Sequence, residues 1–180
     1  MTNKQPLPFI GVRIHRNRTA SGRRSSTPAR RAARYVAYGR DLAAETKGKQ
    51  RGLWYGPDGK VHNHQEILAW ARQEAFGHRY TFEAVLSMQR ANLAAADFCR
   101  AMEQGESIQD WRLMLHRDTA HRHAHVLFFR DKRLEKAQFL AWQQKVREAL
   151  LQSEKQQAAE QQIQHEMSAA KARGMEVELT

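Results

Sequence analysis

"WRLMLHRDTAHRHAHVLFF", residues 111–129, decides how this chain folds and where its chemistry is to be sought. Two runs with a period of two flank a polar centre. In the first, Trp111, Leu113 and Leu115 fall on one side of an extended strand, and Arg112, Met114 and His116 on the other. In the second, His123 and His125 share a side while Ala124, Val126 and Phe128 turn to the opposite one. The spacing predicts a hairpin with a loop over 117–122, so that His116 closes one strand across from His123 or diagonal to His125, at roughly 5 Å. Three imidazoles then converge on one sheet face. Three protein ligands leave coordination positions open, which is the arrangement of a catalytic metal, whereas a structural site closes with a fourth ligand. A solitary His-x-His in a basic protein is ordinary solvated surface. Opening an apolar strand, in phase with a histidine that ends the strand before it, the same dipeptide spacing reads as a bidentate clip. Asp118 and His121 lie in the loop, where either can fix an imidazole tautomer, and Asp118 is the better acceptor.

Outward from the hairpin, the chain alternates in kind. "PFIGVRIH" reads as a first strand and "RNRTASGRRSST" as a polar, basic loop, part of which is expected to behave as a disordered arm. Thr27 followed by Pro28 marks the start of a helix through "ARRAARYVAYGRDLAAE", which Gly39 should weaken or bend. "LWYGPDGKVH" has the punctuation of a turn between short strands, and "NHQEILAWARQEA" is a helix with Asn63 as a possible cap. "RYTFEAVLSM" is strand-like and "ANLAAADFCRAME" helical. From 134 to about 172 runs a Gln-, Glu- and Ala-rich helix whose apolar stripe, Leu134, Phe139, Trp142, Val146 and Leu150, fades distally. The order predicts an α+β protein: an antiparallel β-sheet with packed helices and a long C-terminal helix, as a domain over 1–133 and a helical extension over 134–180.

The charge indicates the partner. A net charge of +11 and a pI near 10.3 are unlike an enzyme of small neutral metabolites and fit a polyanion, nucleic acid before an anionic membrane surface. Residues 1–40 carry ten Lys or Arg and no acid, which makes the N-terminal part the expected contact with phosphate. Cys99 is the only cysteine, which excludes a disulfide framework and fits a buried thiol in a reducing compartment. No run approaches the ~20 apolar residues of a membrane span and "MTNKQPLPF" has no signal-peptide core, so membrane insertion is not expected and a cytoplasmic location is.

The pattern His-x-Asp, four residues, then His-x-His and an apolar strand, here His116, Asp118, His123, His125 and "VLFF", resembles the three-histidine motif of plasmid mobilisation relaxases in the HUH endonuclease superfamily, most closely the MobP-like branch. The resemblance extends over most of the chain to about Arg130. It implies a metal-dependent enzyme, with Mg2+ or Mn2+ as cofactor, that nicks one DNA strand and transfers it through a 5′-phosphotyrosine, initiating mobilisation of a plasmid or integrative element. It also implies a single-stranded origin of transfer as substrate, accessory relaxosome proteins and a coupling protein as partners, and a bacterial cytoplasmic setting. The nucleophile it requires is a tyrosine. "ARRAARYVAYGRD" offers Tyr35 and Tyr38, one helical turn apart and so on one face. Tyr35-Val36-Ala37 resembles the family's first motif better than Tyr38-Gly39-Arg40, and both remain candidates.

A phenol with an ordinary pKa near 10 is a poor nucleophile at pH 7, so it needs a base or an electrophilically activated phosphate. His116 with Asp118 is a candidate for that base as well as for ligation. Arg23, Arg24, Arg30, Arg31 and Arg34 are the expected DNA contacts, with Trp54 and Tyr55 as stacking platforms. Tyr80 reads as a core or edge residue. The alternative from another class is a non-catalytic accessory protein that binds single-stranded nucleic acid. Within the class, a rolling-circle replication initiator or a single-strand transposase shares the chemistry.

Overall fold

The computed structural model describes residues 7–40, 42–89, 92–117 and 121–177. Its strands are β1 (Phe9–Arg16), β2 (Trp54–Tyr55), β3 (Val61–His62), β4 (Tyr80–Ser87), β5 (Trp111–His116) and β6 (His123–Arg130). The helices are α1 (Thr27–Tyr38), α2 (Leu42–Thr46), α3 (His64–Gly77), α4 (Ala95–Gln104) and α5 (Lys136–Val177). All strand pairings are antiparallel, in one six-stranded sheet of order β1-β4-β6-β5-β2-β3. This is the α+β architecture that the alternation of elements predicts.

The pleat sorts side chains between two helical layers. One face carries Ile10, Phe82, Leu86, Trp111, Leu113, Val126 and Phe128, packed against Phe98 and Met102 of α4 and Trp142, Val146 and Leu150 of α5. Phe82 and Phe128 stack across β4 and β6 with centroids 4.9 Å apart. The other face meets α1 and α3 through Ala33, Val36, Ala37, Ile67 and Leu68, which close over Trp54, Met114 and Leu127. Beyond Gln157 almost all the described side chains of α5 are exposed, among them Ile163 and Met167.

Local signals place most boundaries. Asn63 and Glu66 form a reciprocal capping box at the start of α3. The first helix differs from expectation at its end. It was expected to run through "GRDLAAE", but the chain turns at Gly39, whose φ of 69° is the left-handed conformation that glycine adopts without strain, and resumes as the short α2. A side chain at Gly52 would put its Cβ 2.5 Å from the Leu115 carbonyl oxygen, so only glycine lets the chain enter β2 this close to β5. The basic loop after β1 is not a free arm. Arg18 bridges to Arg24, and Asn17, fully buried, anchors the end of β1: its N–H donates to the Arg79 carbonyl, its amide to the His78 carbonyl, and its Oδ1 accepts from Thr81.

Candidate metal centre

The β5–β6 register sets His116 directly opposite His123, with Met114 opposite His125. All three histidines therefore lie on the sheet face covered by α1 and α3, at the end of the hairpin nearest its loop. Each offers one ring nitrogen to a set in which all members lie within 4.8 Å of one another. Nδ1 of His116 and Nε2 of His123 are 3.3 Å apart.

Acceptors on the outer side of the rings assign the protons. Nε2 of His116 donates to the Val36 carbonyl at 2.9 Å, Nδ1 of His123 to the His121 carbonyl at 3.2 Å, and Nδ1 of His125 to Oε1 of Glu83 at 3.0 Å. With those protons placed, the remaining nitrogens carry lone pairs. Lone pairs brought this close repel unless a cation lies among them, so the donor set fits a metal ion on its own chemistry. Burial of His116, with help from the positive character of His125, Arg51 and His123 and against the Val36 hydrogen bond, lowers its pKa to about 3. It is a neutral imidazole at pH 7.

Glu83 is the residue that the sequence analysis missed. It comes from β4, is 3% exposed, and spans two histidines, with Oε2 lying 3.6 Å from Nε2 of His15. Burial pushes its carboxyl up, but hydrogen bonds and charge from His125 and His15 outweigh it and hold the pKa at about 2. An ionised carboxylate behind a ligating imidazole fixes the tautomer and raises ligand basicity. Its one signal in the sequence is an acid interrupting the apolar alternation of "YTFEAVLS". The expected acceptor, Asp118, lies outside the described residues. His121 contributes its backbone carbonyl to His123.

Tyr35 and Tyr38 part company although they share a helix. Tyr35 is half-buried and lines a cavity of about 660 Å³ with Arg13, Arg18, Arg31, Arg40, His15 and Glu83. Tyr38 is buried, packed edge-on against His64 at 5.0 Å and clustered with Trp54 and Leu68; burial, then the charge of Glu45, raises its pKa against the opposing effect of Arg34. Of the arginines expected to hold DNA, Arg31 lines the cavity. Arg34 is engaged by Glu45 at 2.9 Å, Arg23 and Arg24 are exposed in the turn after β1, and Arg30 is half-buried on α1. Arg13, Arg18 and Arg40 join Arg31 instead, and among the described residues none of the four has an ion-pair partner. Trp54 is no stacking platform, being fully buried in the core, and Tyr55 packs half-buried against the far-face cluster.

Cys99 is buried and unpaired, and no helix among the described residues is long and apolar enough to cross a membrane. Comparison of the chain with protein-family models, with curated proteins and with solved structures gives no match.

Proposed function

We propose that this protein is a metal-dependent DNA relaxase that nicks a single strand and carries it on Tyr35. The observation that supports this most is the sharing of Glu83: one carboxylate oxygen holds His125 of the imidazole cluster while the same side chain lines the arginine-rich cavity of Tyr35. A candidate nucleophile, a cationic groove and a three-histidine site thereby become neighbours. The Val36 carbonyl strengthens the link, because the residue next to Tyr35 fixes His116.

Mg2+ prefers oxygen ligands and an all-imidazole set suits the later transition ions best, so of the two expected ions Mn2+, the one that accepts nitrogen ligands more readily, is favoured. Bound at His116, His123 and His125, such an ion supplies Lewis-acid polarisation of a phosphate. The chain's own residues do the rest. Arg13, Arg18, Arg31 and Arg40 neutralise the strand's phosphates in the cavity. The Tyr35 oxygen attacks phosphorus; the new Oη–P bond replaces the P–O3′ bond, the phenolic proton is lost, and the departing 3′ oxygen gains one. His15, which lines the same cavity, is the proton acceptor, and Glu83 faces its Nε2 at 3.6 Å. The phosphodiester is exchanged rather than hydrolysed, so the step reverses to rejoin a strand, as mobilisation of a plasmid or integrative element requires. In this reading the substrate is a single-stranded origin of transfer, and relaxosome and coupling proteins in a bacterial cytoplasm are the partners.

Incubation of the protein and Mn2+ with a panel of single-stranded origin oligonucleotides tests the proposal. The expected product is protein joined to the 3′ part of the substrate through a 5′ phosphotyrosine, stable to boiling in detergent. Tyr35→Phe should abolish the adduct while changing affinity by no more than about 1 kcal/mol, the loss of one hydrogen bond. An adduct mapped to Tyr38 would overturn the assignment. Binding of strand and metal with no adduct on any substrate would leave the accessory-protein reading.

A further inference from the structure

A second basic pocket, of about 310 Å³, lies at the far end of the sheet from the histidines and is lined by Arg16, Arg18, Arg79 and Tyr80. Arg18 lines both this pocket and the Tyr35 cavity, so the two adjoin at one side chain. Arg16 and Tyr80 are register partners in β1 and β4. The half-buried Tyr80 ring carries the Arg133 guanidinium at 5.7 Å from its centroid, while Phe82 packs edge-on to it at 6.4 Å. All four arginines are exposed, and among the described residues none of them is in an ion pair. Asp131 is the nearby acid, and its carboxylate accepts from the Arg79 backbone N–H.

This corner is preorganised. Asn17 stands between Arg16 and Arg18 and is buried with its main-chain N–H, its amide and its Oδ1 all hydrogen-bonded to the start of β4, which fixes where the two guanidinium stems leave the chain. Exposed guanidinium groups beside a half-buried aromatic ring that packs on the apolar cluster suit phosphates joined to a flat base. A purely anionic ligand would gain nothing from Tyr80.

We infer that single-stranded nucleic acid leaving the Tyr35 cavity crosses Arg18 to a second subsite, where Arg16 and Arg79 take phosphates and a base stacks on the Tyr80–Arg133 pair. The placement of the first subsite rests on the proposed function; the second is tested by binding alone.

Fluorescence anisotropy with oligothymidylates of increasing length reads it out. In the wild-type protein, affinity should climb steeply once the strand is long enough to reach both pockets. Arg16→Ala with Arg79→Ala should remove that late gain, leave short strands bound as before, and make the logarithmic salt slope for long strands shallower by about 1.4, two phosphates at about 0.7 each. Tyr80→Leu should weaken long strands about 5- to 150-fold, with Arg133→Ala as a second variant should the leucine variant melt early. An abasic strand should bind the wild-type protein as weakly as oligothymidylate binds the Tyr80 variant. Equal loss for short and long strands, or an unchanged length profile, overturns the second subsite. Tighter binding of duplex than of single strand overturns the stacking. A covalent adduct with an unchanged length profile would leave the nicking proposal standing without the subsite, and the length effect without any adduct would do the reverse.

Discussion

The two faces of this sheet are built from alternate residues of the same strands, yet they follow different rules. On the far face, β4 and β6 contribute Phe82, Ala84, Leu86, Ala124, Val126 and Phe128, all buried in one apolar cluster with α4 and α5. On the near face the same strands contribute Thr81, Glu83, His123 and His125, beside His116 from β5. There α1 and α3 close an apolar cluster over Trp54, Met114 and Leu127, while the polar groups are held by Asn17, by Glu83 and by the Val36 and His121 carbonyls. Stability is concentrated on one side and chemistry on the other, one residue apart along every strand.

The largest contrast is in truncation. Phe128→Ala leaves a cavity under the stacked Phe82 and should cost about 3–5 kcal/mol in denaturant unfolding. Removing the half-buried near-face imidazole of His123, whose Nδ1 donates to the His121 carbonyl and which is not the partner of Glu83, should change metal-free stability far less. Comparable losses at the two faces would erase the distinction.

Acid should act on the near face. The His116 pKa falls from 6.5 to about 3 on folding, so between those values the unfolded chain takes up the proton and the folded one does not. Metal-free stability is therefore fully present above about pH 6.5 and declines as pH falls, by at most about 1.4 kcal/mol per pH unit. Below pH 4.5 Glu83, held at about 2, adds to the decline in the same direction. Urea midpoints from pH 7 to 4.5 read the first effect, and His116→Gln should flatten it; an unchanged slope in that variant would place the acid sensitivity elsewhere.

A finer test separates the carboxylate from the ligands it supports. Glu83→Gln keeps an acceptor for Nδ1 of His125 but removes the charge, and should weaken divalent-ion binding about tenfold or more without loss of fold. Unaltered affinity would reduce Glu83 to a hydrogen-bond cap.

The sequence showed this two-sidedness clearly where contacts are local. Period-two alternation around residues 111–129 is enough to orient the hairpin and bring His116 across from His123 or diagonal to His125, and the register of the strands selects the first. What escaped it came from far along the chain. Glu83 lies 42 residues from His125, and the Val36 carbonyl, a backbone group with no sequence signature, lies 80 from His116. The two tyrosines escaped for a related reason. Helical spacing places Tyr35 and Tyr38 one turn apart on one face, but only the docking of α3, with His64 against Tyr38, decides which is buried. Trp54 read as exposed because its strand has two residues, too few for a pattern to show a buried side.

The account depends most on the three near-face nitrogens holding an ion. Calorimetric titration of the metal-stripped protein with Mn2+, beside the His123→Ala, His125→Ala variant checked for an unchanged circular dichroism spectrum, tests this directly. The account predicts one ion per chain in the first protein and no stoichiometric binding in the second. Equal affinity in the two would contradict it.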